Sequence, residues 1–174
     1  MPLCNDDTNR VVVMKLYIKR ISSSGNELFM ILDELGTLKY TVSAISERMK
    51  QRIIISDTSG NAVSEIIHKE FVMRYFTVRC RKGFYVLLPY MKRCFYFKIY
   101  GSTYRFAGDM TSGRFSLFDV DKSPVMTQKK CWTSFGEGYE IELYIPEQEH
   151  FALSCAVCAD LYLSAAEEKP VLSG

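Results

Sequence analysis

Two cysteines in this sequence have the type and spacing for metal or redox chemistry. Cys155 and Cys158 form a CxxC pair. A structural zinc needs four ligands, but there is no second CxxC pair and only His68 and His150 remain as other donors. A redox CxxC begins a helix, where the dipole lowers the thiol pKa, whereas this pair lies inside an apolar run. We therefore predict buried structural thiols and no metal site.

The histidines and glutamates offer little for catalysis. His68 is predicted at a solvated strand end and His150 at the start of a helix, and neither lies near a Ser or Cys motif. The sequence has no P-loop, GxGxxG, GxSxG or HExxH motif. Glu140 and Glu142 are two apart on a strand, so both face solvent, where solubility is a simpler role than weak cation binding. We predict no catalytic residue and no cofactor.

Positive charge is concentrated in residues 71–108. This segment has no Asp or Glu and carries a net charge of +8, against +2 for the whole chain, and it contains twelve aromatic residues. Strand alternation would place part of these charges on one outer face. The turns at residues 81–83 and 90–93 are predicted to meet at one barrel rim. The candidate anion-binding side chains are Arg79, Arg81, Lys82, Lys92, Arg93 and Lys98.

Several partners would suit such a face. An anionic bilayer attracts each nearby cation by about 1 kcal/mol, and Tyr, Phe or Met91 would anchor at its interface. Nucleic acid is an alternative, because bases stack on exposed aromatic rings between cations. A protein partner is another alternative. The charges would also be explained without a partner if they lie solvated on edge strands, where they prevent aggregation.

The elements that must position these residues are mostly strands. Apolar and polar residues alternate along nearly the whole chain between turn signals. Residues 45–51 suit a short helix or a strand. The predicted strands are 11–20, 28–32, 37–43, 52–56, 61–67, 74–80, 83–88, 94–100, 103–107, 114–119, 124–130 and 138–145.

A faint repeat supports hairpins. Residues 29–36, 52–60 and 114–122 each read as a strand, an Asp and a short turn that leads into another strand. The Asp accepts backbone N–H groups of the turn, and Gly supplies the positive φ that closes it. The third copy has no such Gly, so we expect its turn to close differently. Three hairpins of this kind indicate a closed or strongly curved antiparallel sheet.

Residues 149–165 form the predicted helix, which is apolar on nearly every face. Such a helix must be surrounded by protein, and a barrel of about twelve strands is wide enough to enclose it. Asp160 would then be a buried carboxylate that needs hydrogen-bond donors or a basic partner from the wall. The predicted fold is a mainly β, closed antiparallel barrel of about twelve strands around a central hydrophobic C-terminal helix.

The chain combines hairpins at Asp33 and Asp57, the runs 114–119, 129–132 and 135–141, and a small-apolar helix that leads to Asp160. In these features it resembles the LURP-one-related proteins, which are relatives of the Tubby C-terminal domain and of the phospholipid scramblases. The resemblance covers residues 12–165. The chain departs from the family pattern in the third turn, which lacks Gly, and in the helix, where cysteines replace aliphatic residues.

The resemblance implies a twelve-stranded barrel around a hydrophobic helix, in agreement with the strand count. Tubby relatives bind phosphoinositides through basic side chains, and scramblases are tied to lipid movement. No position-by-position match to the Tubby lipid site is present, so no site is carried over. We assign Asp160, Cys155, Cys158 and Trp132 to the structural core.

Composition and length are those of one soluble domain. The 174 residues are 48% hydrophobic and 24% charged. We expect a flexible N-terminus at 1–10, the barrel at 11–166 and a tail at 167–174. Residues 1–10 are polar rather than signal-like, and the apolar run 151–166 is shorter than the roughly 20 residues that span a bilayer.

We therefore expect a cytoplasmic protein, at most peripheral to a membrane, with reduced cysteines and no transmembrane segment. The expected function is a non-enzymatic binding domain that uses its basic face. A small-molecule carrier or enzyme that uses the barrel interior is the alternative from another class. We expect the helix to fill the interior, so a sizeable internal pocket next to it would count against the binding domain and favour that alternative.

Overall fold

Twelve β-strands precede one α-helix in the computed structural model, which describes residues 11–21, 25–70, 72–92, 94–134 and 136–167. The strands are β1 (Met14–Arg20), β2 (Glu27–Asp33), β3 (Leu38–Glu47), β4 (Lys50–Asp57), β5 (Ala62–Glu70), β6 (Arg74–Cys80), β7 (Gly83–Met91), β8 (Phe95–Tyr100), β9 (Arg105–Asp109), β10 (Arg114–Phe118), β11 (Pro124–Thr133) and β12 (Gly136–Leu143). A 3-10 turn (Pro146–Gln148) leads into α1 (Glu149–Glu167). Residues 45–51 are strand residues on either side of a tight turn.

Each strand pairs antiparallel with its sequence neighbours, and β12 pairs with β1 to close the barrel. At this seam Met14 lies opposite Leu143 and Lys19 lies opposite Gly138. Closure leaves no free sheet edge among the twelve described strands. The predicted fold class is confirmed.

Successive turns alternate between the two ends of the barrel, because antiparallel neighbours run in opposite directions. We call the end where α1 begins the upper end; it holds the β2–β3, β4–β5, β6–β7, β8–β9 and β10–β11 turns. The end where α1 terminates is the lower end. It holds the β1–β2, β3–β4, β5–β6, β7–β8, β9–β10 and β11–β12 turns.

Helix α1 fills the barrel along its axis. Residues 151–160 are all buried, because strands surround the helix on every side. Near the upper end the Phe151 ring lies 4.2 Å from that of Tyr85. Near the lower end the Tyr162 ring lies 5.1 Å from that of Phe95. The position of the helix agrees with the prediction.

Polar contacts at Ser154 and Asp160 help to tie the buried helix to the wall. The Ser154 hydroxyl lies 2.6 Å from the Ser64 hydroxyl on β5. The buried Asp160 carboxylate accepts a hydrogen bond of 2.6 Å from Arg20 on β1. The prediction that Asp160 has hydrogen-bond donors or a basic partner from the wall is confirmed, and the partner is the cation Arg20, which offsets the cost of burying the carboxylate.

The three repeated turns share one geometry at the upper end. The Oδ1 atoms of Asp33, Asp57 and Asp119 each accept two backbone N–H groups at 2.9–3.0 Å. Gly60 has a φ of 83° in the second turn, and Lys122 has a φ of 62° in the third. The expectation that the third turn closes differently was therefore wrong. Lys122 itself occupies the left-handed region.

Two sequence expectations about burial were also wrong. Trp132 is 81% exposed, so it is not part of the core. It pairs with Glu137 near the tip of the β11–β12 hairpin, where no further strand covers it. His68 is buried rather than solvated, because it faces the barrel interior and stacks on Phe76 at 4.5 Å. The predicted N-terminal segment 1–10 and tail residues 168–174 lie outside the described residues.

Candidate functional site

The outer face of β6–β8 is the candidate surface. On β7 the side chains of Phe84, Val86, Leu88 and Tyr90 alternate with the inward-facing Tyr85 and Leu87. Phe84 and Tyr90 are exposed even though they are large and apolar or aromatic. Strand β7 therefore has apolar residues on both faces. That pattern is typical of a strand that is covered on both sides.

Two predicted cations lie on this outer face. Arg79 on β6 is opposite Phe84, and Lys98 on β8 is opposite Leu88. The Lys98 Nζ lies 5.0 Å from the centre of the Tyr100 ring. A hydrogen bond to Tyr100 raises the pKa of Lys98 above its ordinary value. We call Arg79, Phe84, Lys98 and Tyr100 the β6–β8 face.

The other predicted cations do not join this group. Arg81 and Lys82 form the β6–β7 turn at the upper end, where they line a cleft of about 440 Å³ with Glu147 and Glu149. These carboxylates reduce the positive potential near the turn. Lys92 lies at the lower end.

The two basic turns are separated by the full length of β7, which has 9 residues. At the rise of a strand this is roughly 30 Å. The prediction that both turns meet at one rim was therefore wrong, since one antiparallel strand joins turns at opposite ends. Arg93 lies outside the described residues.

Two clefts open beside the last turns of α1 at the lower end. Their volumes are about 530 Å³ and 350 Å³, and Arg20, Phe29 and Ser164 line both. The Arg20 guanidinium donates hydrogen bonds to the Asp160 carboxylate and to the Ser164 hydroxyl. The sequence predicted a partner for Asp160 but did not identify Arg20, because the two residues are 140 positions apart.

These clefts lie at the barrel mouth, whereas the middle of α1 is packed on every side. His68 lines the larger cleft, and its Nε2 has no hydrogen-bond partner among the residues that the structure describes. Burial lowers the pKa of His68, so the imidazole is neutral at neutral pH.

The CxxC pair lies in the middle of α1. Cys155 and Cys158 are completely buried, as predicted. Burial raises the pKa of both thiols well above its usual value, which is the opposite of what a redox cysteine requires. Among the described residues, no three His, Cys, Asp or Glu side chains are grouped so as to hold a metal ion.

Glu140 and Glu142 are paired with lysines across the barrel seam. The Lys129 Nζ on β11 lies 2.9 Å from Glu140, and the Lys15 Nζ on β1 lies 3.4 Å from Glu142. These contacts link β1, β12 and β11. The glutamates therefore help to close the barrel, a role that their spacing alone did not indicate.

Comparisons with known proteins support the fold alone. No family model and no curated protein matches the sequence. An X-ray structure of a protein from Arabidopsis thaliana is similar, with a TM-score of 0.52 and 17% sequence identity over 88% of this chain and 98% of that chain. None of the described helices has the length and apolar character needed to cross a bilayer.

Proposed function

We propose that this protein is a non-enzymatic barrel of the LURP-one-related type that binds peripherally to anionic membrane surfaces. The observation that carries the proposal is the β6–β8 face, where Arg79 and Lys98 lie beside exposed Phe84 and Tyr100. These strands belong to a segment without a single carboxylate side chain. We therefore expect the cations and the aromatic rings of the β6–β8 face to contact the same partner.

A membrane surface suits both components of this face. Anionic lipids attract each nearby cation by about 1 kcal/mol, and the attraction extends over roughly a Debye length. Aromatic side chains favour the headgroup region, where the ring leaves water and polar atoms stay hydrated. A partner that offered charge alone would leave Phe84 exposed to water.

Vesicle flotation tests the proposal. The purified protein should float with phosphatidylcholine vesicles that contain phosphatidylserine or a phosphoinositide, and not with phosphatidylcholine alone, at physiological salt. The double substitution Arg79→Ala and Lys98→Ala should weaken binding by about tenfold or more, from two cations of about 1 kcal/mol each.

The matched control replaces Lys39 and Arg114, two exposed cations on other strands, with alanine. This control removes the same net charge but leaves the β6–β8 face intact, so it should bind almost as the wild type does. Equal losses in both double variants would show that only net charge matters. Failure to bind any anionic vesicle, or binding to single-stranded RNA instead, would overturn the proposal.

A further inference from the structure

The larger of the two clefts at the lower end has the size of a small-molecule site. Its volume is about 530 Å³, and ligand pockets measure roughly 300–1,000 Å³. It opens between the last turns of α1 and the lower ends of β1 to β5 with their turns. We call it the mouth cleft. The residues that line it include Arg20, Phe29, Arg48, His68 and Leu161.

The mouth cleft exists because α1 fills only one side of the lower end. On that side the Tyr162 ring packs against the rings of Phe95 and Phe97, at 5.1 Å and 5.8 Å. Toward β1 to β5 the helix contributes the shorter side chains of Ser164 and Ala165 to the cleft. These side chains leave the lower end open in this sector.

The wall becomes polar at the level of the mouth cleft. One step farther into the barrel, the inward-facing residues of β4 and β5 are Ile53 and Ile66, which lie opposite each other. At the cleft itself the opposed residues are Gln51 and His68. A few polar groups in a mostly apolar pocket are what fixes the orientation of a bound ligand.

His68 is a buried polar group that lines the cleft. It is only 9% exposed, and its ring is held by stacking on Phe76. Its Nε2 atom bonds no residue in the part of the chain that the structure describes. Ser64, two inward-facing positions away on the same strand, has a partner in Ser154 at 2.6 Å. Since an unmade hydrogen bond is costly in a buried place, a ligand atom that bonds Nε2 would gain affinity.

The charges of the mouth cleft favour a ligand with a single negative charge. Three cations and two carboxylates line it, namely Arg20, Arg48, Lys50, Glu47 and Glu70. Glu47 lies 2.9 Å from Lys50. Glu70 is paired with Arg74 on the neighbouring strand. Arg48 has no ion pair with any described residue, so it adds positive potential to the rim of the cleft.

Arg20 is a fixed donor of the cleft. Its Nη2 atom bonds Asp160 and Ser164, and its guanidinium lies 5.4 Å from the centre of the Phe29 ring. Its other N–H groups bond no residue that the structure describes, and an oxyanion is the acceptor that suits them best. Because Asp160 already places one negative charge beside Arg20, a carboxylate is repelled less than a doubly charged phosphate.

Arg20 and His68 stand on opposite sides of the mouth cleft. Their strands, β1 and β5, are four strand intervals apart, at about 4.8 Å per interval. One carboxylate therefore does not reach both side chains. A ligand that satisfies both carries two polar groups with an apolar stretch between them. A neutral imidazole Nε2 either donates or accepts a hydrogen bond, and a hydroxyl group suits both cases.

We propose that the mouth cleft binds a medium-chain aliphatic monocarboxylate with a hydroxyl group at its far end. The carboxylate lies at Arg20, and the hydroxyl bonds Nε2 of His68. The chain between them packs on Phe29 and Leu161. This inference goes beyond the proposed function, because the cleft is built from β1 to β5 and α1 rather than from the β6–β8 face, and its tests need no membrane.

Isothermal titration calorimetry with three probes tests the class of ligand. The protein should bind ω-hydroxydecanoate about tenfold more tightly than decanoate, which lacks the hydroxyl group. It should also bind ω-hydroxydecanoate more tightly than decanediol, which lacks the carboxylate. No binding of ω-hydroxydecanoate, or equal affinity for all three probes, would overturn the proposal.

Two substitutions test the assigned residues. His68→Phe keeps a ring on Phe76 but removes Nε2, so it should abolish the preference for ω-hydroxydecanoate over decanoate and leave the melting temperature no lower. Arg48→Gln should weaken the binding of both acids about threefold. Arg105→Gln, the matched control, removes an exposed cation of β9 and should have no effect. A retained preference in His68→Phe, or equal losses in the two arginine variants, would overturn the proposal.

The two histidines of the chain report where the ligand binds in the unmodified protein. His68 lines the mouth cleft, whereas His150 lies at the upper end and serves as an internal control. In NMR spectra of protein with labelled histidine, ω-hydroxydecanoate should shift the ring signals of His68 and leave those of His150 unchanged. A shift of the His150 signals alone, or of neither ring, would overturn the assignment to the mouth cleft.

Discussion

The turn between β10 and β11 places a lysine in the left-handed region of the backbone. Lys122 adopts a φ of 62° in a turn whose two counterparts use glycine at the same place. A non-glycine residue in this left-handed region costs about 1–2 kcal/mol of folding free energy. A glycine at this position would avoid that cost, but part of the gain would be cancelled because glycine loses more conformational entropy on folding. The Asp119 carboxylate holds the strained turn through two backbone hydrogen bonds.

We expect Lys122→Gly to raise the free energy of unfolding by about 0.5–1 kcal/mol, because it relieves the left-handed strain. Gly60→Lys, the reciprocal change in the matching turn, should lower it by about 1 kcal/mol. A Cβ at Gly60 would meet no atom within 4 Å, so conformation alone is tested. Urea denaturation measures both variants, and a destabilised Lys122→Gly variant would contradict this account.

At the scale of elements, the contact between α1 and β1 joins the last element of the barrel to the first. The Arg20 side chain is 52% exposed, whereas that of Asp160 is only 8% exposed. Loss of one partner therefore has unequal consequences. Arg20 left alone turns to water, but Asp160 left alone remains a buried charge without its cation.

We expect Arg20→Met to destabilise the protein by about 3 kcal/mol and Asp160→Asn by only about 1 kcal/mol. Arg20→Lys is the matched control, because it keeps a cation at the cleft and should recover part of the loss. The measurement is the free energy of unfolding by urea. Equal losses of unfolding free energy for Arg20→Met and Asp160→Asn would contradict the account in which Arg20→Met is the more destabilising change because it leaves a buried carboxylate without its cation.

The whole molecule is closed along the seam of β1, β12 and β11, and the charges there make its stability depend on pH. Burial by itself raises the pKa of Glu140, but the hydrogen bond and charge of Lys129 and the charge of Lys15 outweigh it and lower this pKa below its ordinary value. A carboxyl group whose folded pKa is depressed contributes stability above its unfolded pKa. That contribution is lost as the pH falls through the folded pKa.

We therefore expect the melting temperature to fall as the pH drops below about 4.5, the ordinary value for a glutamate. Glu140→Gln should lower the melting temperature at neutral pH but show a shallower loss in acid, so the two curves converge. Burial also lowers the pKa of His68, so its protonation destabilises both proteins alike and leaves their difference unaffected. A difference in melting temperature between the wild type and Glu140→Gln that stayed constant at every pH would contradict the stabilising role of the Glu140 charge at the seam.

Much of the architecture follows from local sequence patterns. A period of two assigns each strand residue to one face of the sheet, and the apolar residues on every side of α1 require an enclosing wall. The Asp residues of the three repeated turns mark where strands reverse. The twelve strands, the central helix and the burial of Cys155, Cys158 and Asp160 were therefore predictable.

The prediction did less well at the two ends of the barrel. Counting the antiparallel strands would have shown that Lys92 and Arg81 lie at different ends, and that Lys92 shares its end with Met49 and Met73. The error arose because alternation assigns a face and not a position along the strand. Trp132 has the inward-facing parity of Gln128, yet it stands at the hairpin tip beyond the packed interior.

The amino-acid sequence by itself determined the pattern of strands and helix, the closed-barrel class of fold and the segment 71–108 without Asp or Glu. These features depend on residues that are neighbours along the chain. The tertiary structure alone decided the pairing of Arg20 with Asp160, the clefts at the barrel mouth and the lysine–glutamate seam. Each of these joins residues distant in sequence. Their contact depends on the register at which β12 meets β1 and on the depth of α1 in the barrel, neither of which a local pattern encodes.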